Sequence, residues 1–165
     1  MKETIFREYD IRGLYGSELN EKFVKALGYF LGLKMKESSC ENVSVGYDAR
    51  YSNKELFSYL VSGLNKAKIK IYSLGLVPTP LGYFSLYEGK KFDANMITGS
   101  HNPKDYNGFK ITIKKDSFFG EELKIFGKKV LSNLDLEIKD DLTYEEYDIL
   151  SIYINFMLEQ FKDLK

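Results

Sequence analysis

The sequence predicts an α/β fold, a mixed but mostly parallel β-sheet with helices on both faces. Three observations carry this. First, segments with apolar residues at three- and four-residue steps take turns with short apolar runs, the order that lays helices over a parallel sheet. Second, the last strand pattern follows its predecessor after only about ten residues without a helix, which is short for a parallel crossover, so that strand is expected to be antiparallel. Third, the chain has 165 residues, 44% of them hydrophobic. That length suits one domain, or one domain plus a piece of another, with a core that needs neither disulfide nor metal.

The elements follow in order. Phe23, Leu27, Phe30, Leu31 and Met35 recur at helical spacing, so residues 20–34 are expected to be a helix. Residues 41–47 read as a short strand. Ser52 and Glu55 have the spacing of a capping box, with Ser52 as N-cap and Glu55 at N3. The helix behind them sets Leu56, Leu60 and Leu64 on one face, with Phe57 and Val61 beside them. Residues 68–74 are a second strand. Thr79 as N-cap and Pro80 at N1 suit a helix over 81–87. Residues 93–98 form a third strand, with Ala94, Met96 and Ile97 apolar. From Phe109 to Lys114 the pattern alternates, placing Phe109, Ile111 and Ile113 opposite Lys110, Thr112 and Lys114. A helix over 121–134 follows, then an acidic stretch, 135–148, that reads as a linker. Ile149, Ile152, Tyr153, Phe156 and Met157 mark a terminal helix with a broad apolar face.

Composition narrows the function classes. Formal net charge is zero, so nothing argues for nucleic acid or an anionic membrane as partner. Cys40 is the single cysteine, which rules out an internal disulfide. No signal-peptide pattern precedes Phe6 and no apolar run is long enough to span a bilayer. The expected compartment is the cytoplasm.

The stretch with the most chemistry is Thr98-Gly99-Ser100-His101-Asn102-Pro103, followed by Asn107-Gly108-Phe109-Lys110. It sets a hydroxyl nucleophile on a tight turn after an apolar run. The chain's one histidine is adjacent, and an amide and an ammonium follow. Gly99 permits close approach of a ligand to the backbone, and Pro103 stiffens the exit. On residue types alone, a presented serine and a plain polar turn are both open.

Thr98 to Lys110 resembles the phosphoserine loop of the α-D-phosphohexomutases, the phosphomannomutase/phosphoglucomutase superfamily. Three more blocks match in the family's order. Phe6-Arg7-Glu8-Tyr9-Asp10-Ile11-Arg12-Gly13 resembles the N-terminal signature. Val45-Gly46-Tyr47-Asp48-Ala49-Arg50 with Ser52 resembles a Gly-x-Asp-x-Arg-x-Ser block. Gly75-Leu76-Val77-Pro78-Thr79-Pro80 resembles a Gly-x-x-Pro-Thr-Pro turn. The resemblance implies that residues 1–140 are the family's first domain, carrying the phosphoserine loop. Residues 141–165 are then a linker and the first helix of the second domain. The metal loop, sugar loop and phosphate site of the family's later domains are absent, so the chain is expected to be a fragment, inactive by itself as a mutase. The terminal helix is expected to fold back, become disordered or pair with another copy.

The implied activity interconverts hexose 1-phosphate and hexose 6-phosphate through a hexose 1,6-bisphosphate, with Ser100 carrying the phosphoryl group. Ser100 would also be a ligand of Mg²⁺, whose other ligands lie outside this chain. Catalytic roles carry over to Ser100, His101, Arg12 and Lys110, and substrate contacts to Tyr9 and Asn102. The implied partners are the hexose phosphates and the remaining domains of the same enzyme. Asp48 and Arg50 are expected to be structural, pairing with each other or with backbone amides in the loop that leads into the capped helix. Gly99 stands where the wider superfamily commonly has alanine, and Tyr47 where many members have a basic residue. The Tyr9-Asp10-Ile11-Arg12-Gly13 and Tyr106-Asn107-Gly108-Phe109-Lys110 runs point to the phosphomannomutase/phosphoglucomutase branch. A phosphoglucosamine mutase and a stand-alone non-catalytic domain remain the alternatives.

Overall fold

A computed structural model describes residues 3–88 and 92–164. Its strands are β1 (Ile11–Leu14), β2 (Asn42–Tyr47), β3 (Lys70–Leu76), β4 (Asp93–Ile97), β5 (Tyr106–Ile113), β6 (Asp116–Ser117) and β7 (Glu145–Glu146). Its helices are α1 (Glu21–Glu37), α2 (Asn53–Lys66), α3 (Thr79–Ser85), α4 (Gly120–Leu131) and α5 (Ile149–Gln160). One sheet runs in the order β1-β5-β4-β2-β3-β7, with β6 beside β5. Its central pairs, β4-β2 and β2-β3, are parallel, as is β3-β7. β5 is antiparallel to β1, β4 and β6. Among the described strands β5 therefore runs against all the rest, and the expected mixed, mostly parallel sheet is present.

Helix α1 begins where its sequence says it should. Asn20 accepts the Phe23 N–H through its side chain at 3.1 Å, satisfying one of the first-turn donors. The apolar stripe Phe23, Leu27, Leu31 and Met35 is fully buried, each residue contributing roughly 1.5–3 kcal/mol. Helix α1 lies so close to α2 that a Cβ on Gly28 would fall 2.4 Å from the Leu60 carbonyl oxygen. Leu56, Leu60 and Leu64 of α2 are buried as their spacing predicts. These helices and α4 cover one sheet face with a single core that includes Val43, Val45, Ile97 and Phe109.

The other face is thinner. There α3 and the first turn of α5 pack on Leu74, Val77 and Met96 through Leu81 and Ile149. A buried pair of hydroxyls, Ser44 Oγ and Ser85 Oγ at 2.7 Å, ties α3 to the sheet. Helix α5 folds back onto α3, one of the three outcomes expected for it. Phe84 meets Tyr153 and Phe156 at ring-centroid distances of 5.1 and 5.2 Å. Leu150, Ile154, Leu158 and Phe161 stay exposed.

Three local expectations are corrected. Ser52 takes the expected N-cap position of α2 but not the capping box: its backbone is already helical, with φ −78° and ψ −10°, and its side chain makes no capping bond. The Glu55 carboxylate accepts the phenols of Tyr15, at 2.5 Å, and Tyr59. That bond to Glu55 pushes the Tyr15 phenol up to about 12. The N-cap of α3 is Pro78, one residue earlier than expected, and Thr79 is already helical. The acidic stretch 135–148 is more than a connection, because Glu145 and Glu146 pair with β3 as β7 and the Tyr147 N–H donates to the Ser73 carbonyl at 2.8 Å.

Candidate active site

The parallel strands β2 and β4 end side by side, and the loops that leave them meet. The Asp48 N–H donates to the Ile97 carbonyl at 3.2 Å. This is the carboxyl end of a parallel sheet, where α/β folds place their ligands. Ser100 sits on the loop after β4 with φ 52°, in the left-handed region that costs a non-glycine residue about 1–2 kcal/mol. Bonds on both sides of its backbone hold it there. Its N–H donates to Thr98 Oγ1 at 2.9 Å, and Thr98 Oγ1 donates to Asp48 Oδ2 at 2.7 Å. Its carbonyl accepts from Arg50 Nη2 at 2.9 Å. The hydroxyl is left at the surface, 3.3 Å from Nδ1 of the exposed His101.

Arg50 grips the rest of the loop. Nη1 donates to the carbonyls of Pro103 and Tyr106, each at 2.8 Å. Nη2 donates to that of Asn102 at 2.7 Å as well as to Ser100. Nε lies 3.6 Å from Asp48 Oδ2. Gly99 lies against the guanidinium, and a Cβ there would fall 2.4 Å from Cζ. Asp48 Oδ1 accepts the Arg50 N–H at 3.0 Å and Asn53 Nδ2 at 2.6 Å. Behind the loop, Asn107 is fully buried at the start of β5. It donates to Ser52 Oγ at 2.7 Å and Asn53 Oδ1 at 2.6 Å. Ser52, expected as a helix cap, is an acceptor in this network.

A second cluster reaches the loop from β1 and β5, which run antiparallel with Ile11 opposite Phe109. The buried Asp10 carboxylate accepts Arg12 Nε at 2.9 Å and Nη2 at 2.8 Å, with Lys110 Nζ at 3.5 Å. Arg12 Nη1 also donates to Asn102 Oδ1. Two cations thus share one anion, which leaves this corner with a net positive charge suited to a phosphate group.

The structure therefore brings together Ser100, His101, Asn102, Arg12 and Lys110. Tyr9 is exposed, and its ring stacks on Phe119 at 5.8 Å. Asp48 and Arg50 do pair, and Asp48 holds the approach to α2, as expected, through the Arg50 N–H and the Asn53 side chain; the Arg50 side chain also holds the Ser100 loop. Asp10, Thr98 and Asn107 are part of the site although sequence reasoning gave them no role. An open depression beside the nucleophile is lined by Asp48, Arg50, Tyr51, Ser100, Asn102 and Lys104.

The fit to a magnesium ion is poor within this chain. Among the described residues no three His, Cys, Asp or Glu side chains group closely enough to hold a metal. The two carboxylates near Ser100 are committed, Asp48 to Thr98, Asn53 and Arg50, and Asp10 to Arg12 and Lys110. A phosphate on Ser100 could offer one oxygen ligand. Also among the described residues, no helix is long and apolar enough to cross a membrane.

Known proteins resemble this chain in sequence and in fold. Residues 3–126 match the family model described as phosphoglucomutase/phosphomannomutase, alpha/beta/alpha domain I. A phosphomannomutase/phosphoglucomutase of Pseudomonas syringae pv. tomato is 36% identical over 165 residues, all of this chain and 34% of that protein. A phosphomannomutase of Methanocaldococcus jannaschii is 36% identical over 163 residues, 96% of this chain and 35% of that protein. The crystal structure of a phosphoglucomutase/phosphomannomutase family protein from Burkholderia thailandensis superposes with a TM-score of 0.84 at 31% identity, covering 96% of this chain and 36% of that one. The chain spans about a third of the length of these relatives. It belongs to the phosphoglucomutase/phosphomannomutase family, and residues 3–126 are its α/β/α domain I.

Proposed function

We propose that this chain supplies the phosphoryl-carrying serine of a hexose-phosphate mutase. In this reading Ser100 holds a phosphoryl group and passes it to a hydroxyl of a hexose monophosphate. The seryl P–O bond breaks, a P–O bond to the sugar forms, and the proton of the sugar hydroxyl ends on the freed seryl oxygen, restoring the Ser100 hydroxyl. The resulting hexose 1,6-bisphosphate returns its other phosphoryl group to Ser100, which exchanges the 1- and 6-phosphates. One observation carries the proposal. An exposed serine is held in a left-handed turn, and its loop is bonded through Asn102 to the cationic Arg12–Asp10–Lys110 cluster.

The roles follow from placement. Phosphoryl transfer depends on in-line positioning and charge neutralisation more than on covalent chemistry. Arg12 and Lys110 neutralise phosphate oxygens, and Asn102 orients Arg12. His101, with Nδ1 3.3 Å from the hydroxyl, holds the serine proton when Ser100 is unphosphorylated. Tyr9 offers an exposed ring to the sugar. Mg²⁺ belongs to the proposal as the neutralising ion, with ligands from outside this chain beyond the Ser100 phosphate. In isolation the chain is therefore expected to show little mutase turnover. The names of the relatives point to glucose and mannose phosphates as substrates. A cytoplasmic setting is also part of the reading, supported by the lone Cys40.

Peptide mapping of the full-length protein after incubation with glucose 1,6-bisphosphate tests this. Phosphate on Ser100, and loss of mutase activity by at least about 10³-fold in Ser100→Ala, are the expected results. Phosphate on Ser52 or Ser117 instead, or an active Ser100→Ala protein, refutes the assignment.

A further inference from the structure

The guanidinium of Arg50 lies beside the nucleophile, yet most of its donors are already taken. A guanidinium has five N–H groups. Four bonds go to the carbonyls of Ser100, Asn102, Pro103 and Tyr106, and Nε faces Asp48. A cation placed to receive phosphate keeps donors to spare, and Arg12, on the other side, spends three of its five N–H groups on Asp10 and Asn102. The acceptors of Arg50 are instead spread along one loop, from Ser100 to Tyr106. Gly99 fills the remaining space against Cζ, so the loop and the fork fit each other face to face.

We propose that Arg50 is the positioning residue for Ser100: it fixes the loop in its reactive shape and takes no direct part in binding phosphate. This rests on the reading of Ser100 as phosphoryl carrier and adds to it the device that aims the serine. The argument is geometric. Four carbonyls converging on one planar fork fix the loop's path, and the left-handed turn at Ser100 persists because its carbonyl is one of them. A lysine would keep the charge but, as a single point with three donors, could not span the four acceptors.

Three measurements test the proposal. In this chain, hindered rotation should give Arg50 four resolved Nη–H signals by NMR, and they should stay in place when inorganic phosphate is added while those of Arg12 move. An averaged Arg50 signal, or one that shifts with phosphate, overturns the proposal without any variant having to fold. In Arg50→Lys, amide exchange at Ser100, Asn102 and Tyr106 should quicken by roughly tenfold or more, with β2 and β4 unchanged. Exchange equal to wild type overturns it. In the full-length protein with glucose 1,6-bisphosphate and Mg²⁺, Arg50→Lys should lower the limiting rate of Ser100 phosphorylation by about 10²-fold with the half-saturating bisphosphate concentration unmoved. A raised half-saturation at unchanged rate would make Arg50 a phosphate ligand and overturn the proposal. If wild-type Ser100 is never phosphorylated, the carrier reading fails alone, and the clamp is decided by the signals and the exchange.

Discussion

Strand β4 has polar groups at both ends, and the two ends are opposites. Beyond its carboxyl end, Thr98, Ser100, Asp48, Arg50 and Asn107 form a network in which each side chain but that of Ser100 makes a bond of 2.6–2.9 Å to another part of the chain. In its amino-terminal half, Asp93 and Asn95 are 2% and 1% exposed. There Asp93 Oδ2 and both polar atoms of the Asn95 side chain lack a hydrogen-bond partner among the described residues. Thr98 and Asn107 are as buried as Asp93 and Asn95, and only the first pair is fully bonded. A completed polar network specifies one geometry, whereas an orphaned polar group costs about 1–3 kcal/mol and specifies none. The candidate site lies at the completed end.

The largest test of this contrast is Asp48→Ala. It removes the acceptor of the Arg50 N–H, Asn53 Nδ2 and Thr98 Oγ1 together, and should lower unfolding free energy in urea by about 3 kcal/mol. A cost below about 0.5 kcal/mol, the level of an indifferent surface change, would break the comparison. Asn107→Ala should cost less, about 2 kcal/mol, because it deletes two donated bonds and the acceptor of the Gly108 N–H.

Changes at the other end should run in the opposite direction. Asn95→Val removes an amide with no hydrogen-bond partner among the described residues and suits a strand interior. Its urea midpoint should be unchanged or raised, with a gain of up to about 1 kcal/mol. A loss of about 2 kcal/mol or more would mean that the amide is satisfied, and the two ends would then be alike. The smallest effect concerns pH. Burial pushes the Asp93 carboxyl above the ordinary carboxylate range, offset in part by the Lys114 N–H and the Cys40 thiol. The folded state therefore favours the protonated form. That contribution to stability is fully present below the unfolded pKa and is lost as pH rises through the folded one. The stability of wild type relative to Asp93→Asn should accordingly improve on acidification from neutrality towards the ordinary carboxylate range. A flat difference between the two proteins would show that Asp93 ionises without penalty.

The same contrast separates what was legible in the sequence. Helices α1 and α2 declared themselves because burial imposes a period of 3.6 residues, and Phe23, Leu27, Leu56 and Leu60 obey it. The reversal of β5 followed from a connection too short to cross over. Two-residue β7 has no period to read, and its glutamates become a strand through pairing with β3. The Ser52 capping box failed because a distant residue, Asn107, claims the hydroxyl. In the site, Ser100, Arg12, Lys110 and Asn102 were legible as members of a family motif. The hold of Arg50 on the loop was not. Its partners are backbone carbonyls 50 to 56 positions away, which every residue carries and no sequence pattern marks.

The acidity of β7 bears on how the molecule meets its own copies. It forms one rim of the sheet, where unpaired backbone groups invite another chain to dock and extend the ladder. Here the rim is two residues long and carries two exposed glutamates, one of them paired with Lys70 at 2.8 Å. So short and charged a border makes a poor template for intermolecular β-pairing, and the sheet is guarded against fibril-like growth on that side. Sticking through this region would use uncovered apolar side chains, those of α5 among them, whose contacts are reversible packing rather than a shared ladder of hydrogen bonds.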